Sequence, residues 1–421
     1  MVKKIKTLKD YEAMTLAEVR AEAKELKLQN FMELSKRDLT IAILKKESDS
    51  EGFVEVSGIL EVMKDGSHGV LRTEGLLPGD NDVYISGSQI QKFSLRTGDE
   101  VSGPARLPKD KEKYLSLLRV DTVYGKPAAE AAKRPNFRKL TPIFPNKQIK
   151  LETEQDVIAT RMIDLLSPIG FGQRSMVVSP PKAGKTWLLK DVANGIAKNH
   201  PEAKLIVVLV GERPEEVTDM RRFVKGEVYA SNFDELPQHN CSVAEMALQK
   251  AMRMVEWGED VIILMDSITR LARAYNITMP TSGKTLSGGF DPVALYPPKR
   301  FFGAARNFEE NGSLTIIATA LVETGSRMDD LVYEEFKGTG NMELHLDRSL
   351  ANKRVYPSID VINSGTRNEE LLLGKDVLNQ SWRIRRMLEV LDSNENPTEV
   401  LIDRLRKTKD NEEFLATLHE A

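Results

Sequence analysis

Along the first fifty residues the apolar positions recur at helical spacing. Thr15 and Glu18 stand three apart, the spacing at which each side chain satisfies the other's free backbone N–H at a helix start. Leu16, Val19, Ala23 and Leu26 then fall on one helical face. Ser35 with Asp38 opens a second such stretch, followed by Leu39, Ile41, Ala42, Ile43 and Leu44. The polar run KKESDSEG closes it. Residues 1–48 are predicted to form a small helical module.

From Phe53 to about Val123 the period changes. FVEVSGILEVM, HGVLRT, DVYIS, EVSGPARL and YLSLLRVDTV are short β-rich runs, separated by turn sequences such as DGSHG and LPGDND. Five such strands predict, for residues 52–125, a small closed β-barrel. The oligonucleotide-binding type fits, and other small barrels share the rhythm. Residues 126–150 carry four prolines among many basic residues and read as a linker that packs along its neighbours. Beyond them MVV, LIVVLV, VIILMD and LTIIATALV alternate with amphipathic stretches. Unbroken apolar runs of this kind mark parallel strands buried on both faces, with crossover helices between. Residues 151–421 are therefore predicted to be an α/β domain with a mainly parallel sheet, the largest part of a multidomain chain.

Composition narrows the classes. A chain of 421 residues exceeds what one core organises, and 41% hydrophobic residues exclude a disordered or fibrous protein. The net charge of -3 gives no bulk attraction to a polyanion, so such a partner would have to meet local basic patches. A single cysteine, Cys241, excludes an intramolecular disulfide or a cysteine-based zinc site and suits a reducing cytosol. MVKKIKTLKDYE lacks the apolar core of a signal peptide. Leu205–Val210 is too short an apolar run to span a bilayer, so a cytoplasmic protein with no membrane partner is expected.

The strongest chemical signal follows the strand Met176–Val178, where SPPKAGKT runs into the helix-like WLLKDVANGIAK. Strand, loop and helix in that order make a phosphate-binding loop. Gly184 lets backbone amides approach phosphate, Lys185 neutralises it, and the Thr186 hydroxyl can ligate Mg²⁺. Asp266 ends the run VIILM, where a carboxylate would hold the magnesium shell; alternatively it caps the helix beginning at SITRLARAY. Glu212 and Arg213 end LIVVLVG, and ligands of parallel sheets bind at the carboxyl ends of strands. Glu212 could there orient or deprotonate water, or merely cap the helix after Pro214. Three strand ends converging on one site favour a hydrolase over a binder.

Taken together, PPKAGKTWLL, GERPEEVTDM, ILMDSITRLARAYN, PPKRFFGAARN, YEEFKGTGNMELHLDR and SGTRNEELLL resemble the Rho family of bacterial transcription termination factors, over nearly the whole chain. The resemblance implies a RecA-like P-loop ATPase domain and a ring-shaped homohexamer. It implies hydrolysis of ATP with Mg²⁺, movement 5′→3′ along single-stranded RNA, and transcript release from RNA polymerase in company with elongation factors. By motif, Gly170, Phe171, Gly172, Gln173, Arg174 and Ser175 would line the nucleotide, together with Lys182, Ala183, Gly184, Lys185, Thr186, Trp187 and Arg213. Tyr356 would stack on adenine, and Arg367 would act as an arginine finger on the neighbouring subunit's ATP.

The same resemblance implies two RNA sites. A pore site would use Lys284, Thr285, Leu286, Ser287, Gly288 and Gly289, with Thr324, Gly325 and Arg327. A barrel site would use Gly66, His68, Val70, Arg72, Asp82, Val83, Tyr84, Lys109, Glu112, Lys113 and Tyr114, with the tyrosines as stacking faces and Glu112 as acceptor for a cytosine amino group. This chain departs from the family in three places. DGSHGVLR replaces the usual DGFGFLR, so His68 and Val70 stand at the aromatic positions and altered base preference is expected. Arg327 stands where a lysine is usual, and Gly211 where an acid often is. Rival readings are a rotary-type ATPase catalytic subunit, which has no use for the helical module or pore segments, and a non-motor RNA-binding protein in which ATP only regulates.

Overall fold

The computed structural model describes residues 11, 14–28, 31, 32, 34–47, 53–108, 112, 114–310, 312–390 and 396–418. The chain divides into two compact units: residues 1–136 with 246–253, and the remainder.

In the first unit, α1 (Leu16–Glu25) starts as its sequence predicts. Glu18 N donates to Thr15 Oγ1 at 3.3 Å, and Thr15 N donates back to Glu18 Oε2 at 2.6 Å. Val19 and Ala23 are buried, but Leu16, expected beside them, is exposed at the helix's first position. In α2 (Lys36–Glu47) Asp38 N donates to Ser35 Oγ at 3.1 Å, and Leu39 and Ile43 are buried.

The five predicted β-runs fold as β1 (Phe53–Val62), β2 (His68–Arg72), β3 (Val83–Ser86), β4 (Glu100–Arg106) and β5 (Leu115–Leu117). Their pairing order β1-β2-β3-β5-β4 closes on itself, because β4 also pairs with β1. Closure removes the exposed edges and gives Leu60, Leu71, Val83, Ile85 and Val101 a common interior.

In the second unit the unbroken apolar runs become strands of one sheet: β6 (Arg174–Ser179), β7 (Lys204–Glu212), β8 (Glu227–Asn232), β9 (Asp260–Asp266), β10 (Ser313–Leu321), β11 (Met342–His345) and β12 (Gly365–Thr366). The order is β8-β7-β9-β10-β6-β11-β12, parallel throughout except for β12. Helices cover the sheet, which explains why Val207, Val208, Ile262, Ile263, Ile316 and Ile317 are all buried with no alternation. Part of the proline-rich stretch packs against this sheet: Pro142–Ile143 pairs antiparallel with Arg306–Phe308.

Behind the sheet lies a buried carboxyl, Asp164, which accepts N–H bonds from Leu151 at 3.0 Å and Glu152 at 2.8 Å. Burial dominates over these bonds and pushes its pKa up to about 7. A carboxyl raised on folding contributes stability that is complete below its unfolded value near 4 and is lost as pH rises through about 7. Asp164→Asn should therefore flatten the pH dependence of thermal unfolding. From about pH 5 to about pH 8 the wild-type Tm is expected to fall several degrees more than the variant's, and parallel curves would refute this.

Candidate functional site

The carboxyl ends of β6, β7 and β9 lie together because β10 alone separates β6 from β9, and β7 flanks β9 on its other side. From β6 the chain turns through the loop into α3 (Lys185–Asn199). Gly184 is in the left-handed region, with φ +87°, and a Cβ added there would come 3.3 Å from the Tyr356 ring. Lys182 also has positive φ.

Lys185 Nζ donates to Asp266 Oδ1 and lies 3.5 Å from Glu212 Oε1. Burial alone would depress this ammonium, but Asp266 and then Glu212 outweigh burial and hold it above the usual lysine range. Burial first, and the Asp266 charge next, push Glu212 up to about 7 against the pull of Lys185 and Arg270. Its Oε1 is 3.3 Å from Arg270 and, although buried, makes no hydrogen bond. An oxygen so placed has an acceptor position free for a water in the site. Asp266 Oδ1 also accepts from the Thr319 hydroxyl at 2.6 Å.

The two capping alternatives fail. Ser267, not Asp266, caps the helix Ile268–Thr278, accepting from Arg270 N at 3.2 Å. Arg213 occupies the cap position before Pro214, with no side-chain cap bond. The sequence reading missed Thr319 and Arg270. Arg270 also donates to the carbonyl of Gly211, whose φ of +64° sits at a bulge between Val210 and Glu212. The signal for Arg270 was its place four residues after Asp266, on the helix that leaves the site.

Beside the loop is a cleft of about 730 Å³ walled by Ala183, Gly184, Trp187, Leu346, Arg354 and Tyr356. Trp187 is 72% exposed and Tyr356 43%, so two aromatic faces are open to a planar base. Ser358 Oγ donates to Ala183 O at 2.5 Å and ties the Tyr356 segment to the loop. Thr186 adjoins Lys185 at the helix start, and exposed Arg213 follows Glu212. This donor set fits a Mg²⁺–nucleotide: a hydroxyl and a carboxylate for the cation, an ammonium and helix-start amides for phosphate, and an aromatic cleft for the base.

Gly170, Phe171, Gly172, Gln173, Arg174 and Ser175 are not brought to this loop. They sit at the start of β6, one strand length from it, roughly 17 Å away. Gln173 Nε2 donates to Asn341 Oδ1 at 2.8 Å and Arg174 Nε to Thr339 O at 2.8 Å. Phe171 and Ser175 are buried. The intervening strand holds them at the other end of the sheet from this chain's own phosphate loop. Arg367 lies at that same end, where its N–H donates to Asn341 O at 2.9 Å and its side chain is exposed.

The two pore segments meet. A Cβ on Gly288 would lie 2.6 Å from Met328 N and 3.0 Å from Arg327 C, so the glycine permits this approach. Lys284, Thr285, Leu286, Ser287 and Gly289 form the exposed remainder of the first segment. Thr324 Oγ1 donates to Asp329 at 2.6 Å, which positions the turn carrying Gly325 ahead of the helix Arg327–Lys337.

On the barrel, β2 pairs with β3 in the register His68↔Ser86 and Val70↔Tyr84. Tyr84 is 38% exposed, whereas Val70 is 8% exposed and Val83 wholly buried. Val83 points into the barrel core, whereas Val70, opposite Tyr84 in the register, lies on the same side of the sheet as Tyr84 and is nearly covered. Arg72 pairs with Asp82 and Glu61 inside the same surface, so Asp82 is buried too. Glu112 is paired with Arg106, its two oxygens accepting from the guanidinium at 2.5 and 2.7 Å, and its carboxylate keeps further lone pairs at the surface. Tyr114 is half-buried, Gly66 is a positive-φ turn residue, and Lys109 and Lys113 lie outside the described residues.

Fold and site together define a P-loop nucleoside triphosphatase that also carries a closed barrel of the oligonucleotide-binding type. Three family descriptions match: ATP synthase alpha/beta family, nucleotide-binding domain, over residues 159–366; Rho termination factor, RNA-binding domain, over 56–129; and Rho termination factor, N-terminal domain, over 10–52. Transcription termination factor Rho of Bacillus subtilis is 52% identical, covering 98% of this chain and 96% of its own. The Thermotoga maritima protein of that name is 51% identical over 97% and 96%. The chain belongs to the Rho family of transcription termination factors. Among solved structures, an ATPase from the type III secretion system of pathogenic bacteria has a TM-score of 0.54 at 18% identity, covering 75% of this chain and 94% of that one. The assembled ATPase EscN of enteropathogenic E. coli has 0.54 at 15%, covering 88% and 97%, a likeness of fold.

Proposed function

We propose that the protein is an RNA-dependent ATPase and helicase that terminates transcription. It assembles as a homohexameric ring, moves 5′→3′ on nascent single-stranded RNA in the cytoplasm, and releases the transcript from RNA polymerase and its elongation factors. The observation that carries this reading is the meeting of Lys185, Glu212 and Asp266 at the carboxyl ends of β6, β7 and β9 in a chain that also has the barrel.

In this reading Lys185 leaves Asp266 for the phosphates, and Thr186 and Asp266 hold Mg²⁺, which supplies charge neutralisation on the phosphoryl oxygens. Glu212 accepts a hydrogen bond from the attacking water and takes its proton, while Arg270 and Thr319 fix the two carboxylates. Tyr356 and Trp187 hold the base in the cleft, and the Lys182–Gly184 turn shapes the loop. Lys284–Gly289 and Thr324–Arg327 grip the RNA backbone without reading bases.

The test is ATP hydrolysis with and without a long unstructured RNA, with double-stranded DNA as control. Stimulation by the RNA alone is expected. Equal rates in every tube would detach the barrel from the ATPase and leave the non-motor reading.

A further inference from the structure

The outer surface of the β2–β3 pair holds a feature that neither the fold nor the hydrolytic site requires. His68 and Tyr84 are diagonal neighbours in the register, and their rings stack with centroids 5.4 Å apart and planes 25° from parallel. The gap is too small for a base to enter between them, so a base can meet only the outside of the pair.

The imidazole is also held by its neighbours on the turn. Ser67 Oγ lies 2.8 Å from His68 Nδ1 and 2.9 Å from each oxygen of Asp65. Asp65 accepts as well from the Ser67 backbone N–H at 3.1 Å. These Ser67 bonds, backbone first, hold the Asp65 carboxyl below its usual range. An ionised carboxylate only accepts, and a serine hydroxyl has one proton to give. With that proton on Asp65, Ser67 Oγ must accept from Nδ1–H. The neutral ring is then fixed with Nε2 as a lone-pair acceptor.

We propose that His68 is a base-contacting, specificity-determining residue of the barrel's RNA site: its ring extends the Tyr84 stacking surface, and its Nε2 accepts a hydrogen bond from the exocyclic amino group of cytosine or adenine. Uracil, with a carbonyl at the corresponding edge, offers no such donor. This inference rests on the barrel being an RNA site, and the experiment separates the two.

Binding of short labelled oligocytidylate and oligouridylate to the full-length, nucleotide-free protein is measured for wild type and for Tyr84→Ala, His68→Ala and His68→Phe. Wild type should prefer oligocytidylate. His68→Phe keeps a stacking ring and removes the acceptor, so oligouridylate binding should persist while the preference falls about tenfold. His68→Ala should weaken both ligands by about five- to hundredfold, the range of one lost base stack. A preference unchanged in His68→Phe would overturn the acceptor role. Wild-type affinity of His68→Ala for both, with Tyr84→Ala impaired, would leave His68 only packing on the tyrosine and overturn the proposal. If Tyr84→Ala also binds both like wild type, the barrel reading itself fails.

Discussion

Glu212→Gln is expected to lower RNA-stimulated ATP turnover by about 10²–10⁴-fold, the usual worth of a general base, while RNA affinity stays within about twofold of wild type. The substitution keeps the shape of the side chain and removes its basicity. The apolar residues of β7 bury on both faces and deliver Glu212 to the carboxyl end of the sheet. There, burial and Asp266 raise the carboxyl to about 7. A base poised near neutrality accepts a proton from water far better than an ordinary surface carboxylate does. Its Oε1 has acceptor capacity to spare, with Lys185 at 3.5 Å and Arg270 at 3.3 Å available for charge balance. KM for ATP should change little, because the phosphate and base contacts belong to other residues. Turnover within twofold of wild type would remove Glu212 from the chemistry, and loss of RNA binding alongside turnover would point to a structural role instead.

The parts of this site legible in the sequence were those at the ends of unbroken apolar runs. A parallel strand buried on both faces announces itself by composition, and its first polar residue falls at the sheet's carboxyl edge, so Glu212 and Asp266 could be assigned before any coordinates. Thr319 could not. It is one hydroxyl inside the run LTIIATALV, and only the strand order, with β10 between β9 and β6, aims it at Asp266. Gly170–Ser175 show how sequence proximity and position in the sheet diverge. They precede the phosphate loop closely in sequence, but β6 lies between and carries them to the other end of the sheet.

On the barrel, the strands were legible from their alternation and turns, whereas the helix Gly87–Lys92 between β3 and β4 carried no strong signal. The His68–Tyr84 stack depends on the β2–β3 register, which pairing sets and local sequence does not. The engagement of Glu112 by Arg106 likewise reflects a spatial neighbour that spacing did not reveal.

The position of Arg367 leads to the second large effect. Its backbone is tied to Asn341, next to Arg174 at the start of β6, while Lys185 follows the end of that strand. About 17 Å of strand separates the two ends, well beyond the reach of one arginine side chain. A guanidinium there cannot stabilise phosphoryl transfer in its own chain's site. On the exposed end of the sheet it is available to the site of a second copy. Arg367→Ala should therefore cut turnover by about 10³–10⁵-fold, as loss of an arginine finger does, with ATP affinity nearly unchanged. Subunit mixing gives the decisive readout. Arg367→Ala retains an intact loop and Lys185→Ala retains an intact finger, so association of the two variants would pair a working site with a working arginine at some interfaces. Measurable turnover should return in the mixture, although each variant alone is inactive. If the arginine served its own chain, no site in the mixture would be complete, and the mixture would stay as inactive as its parts.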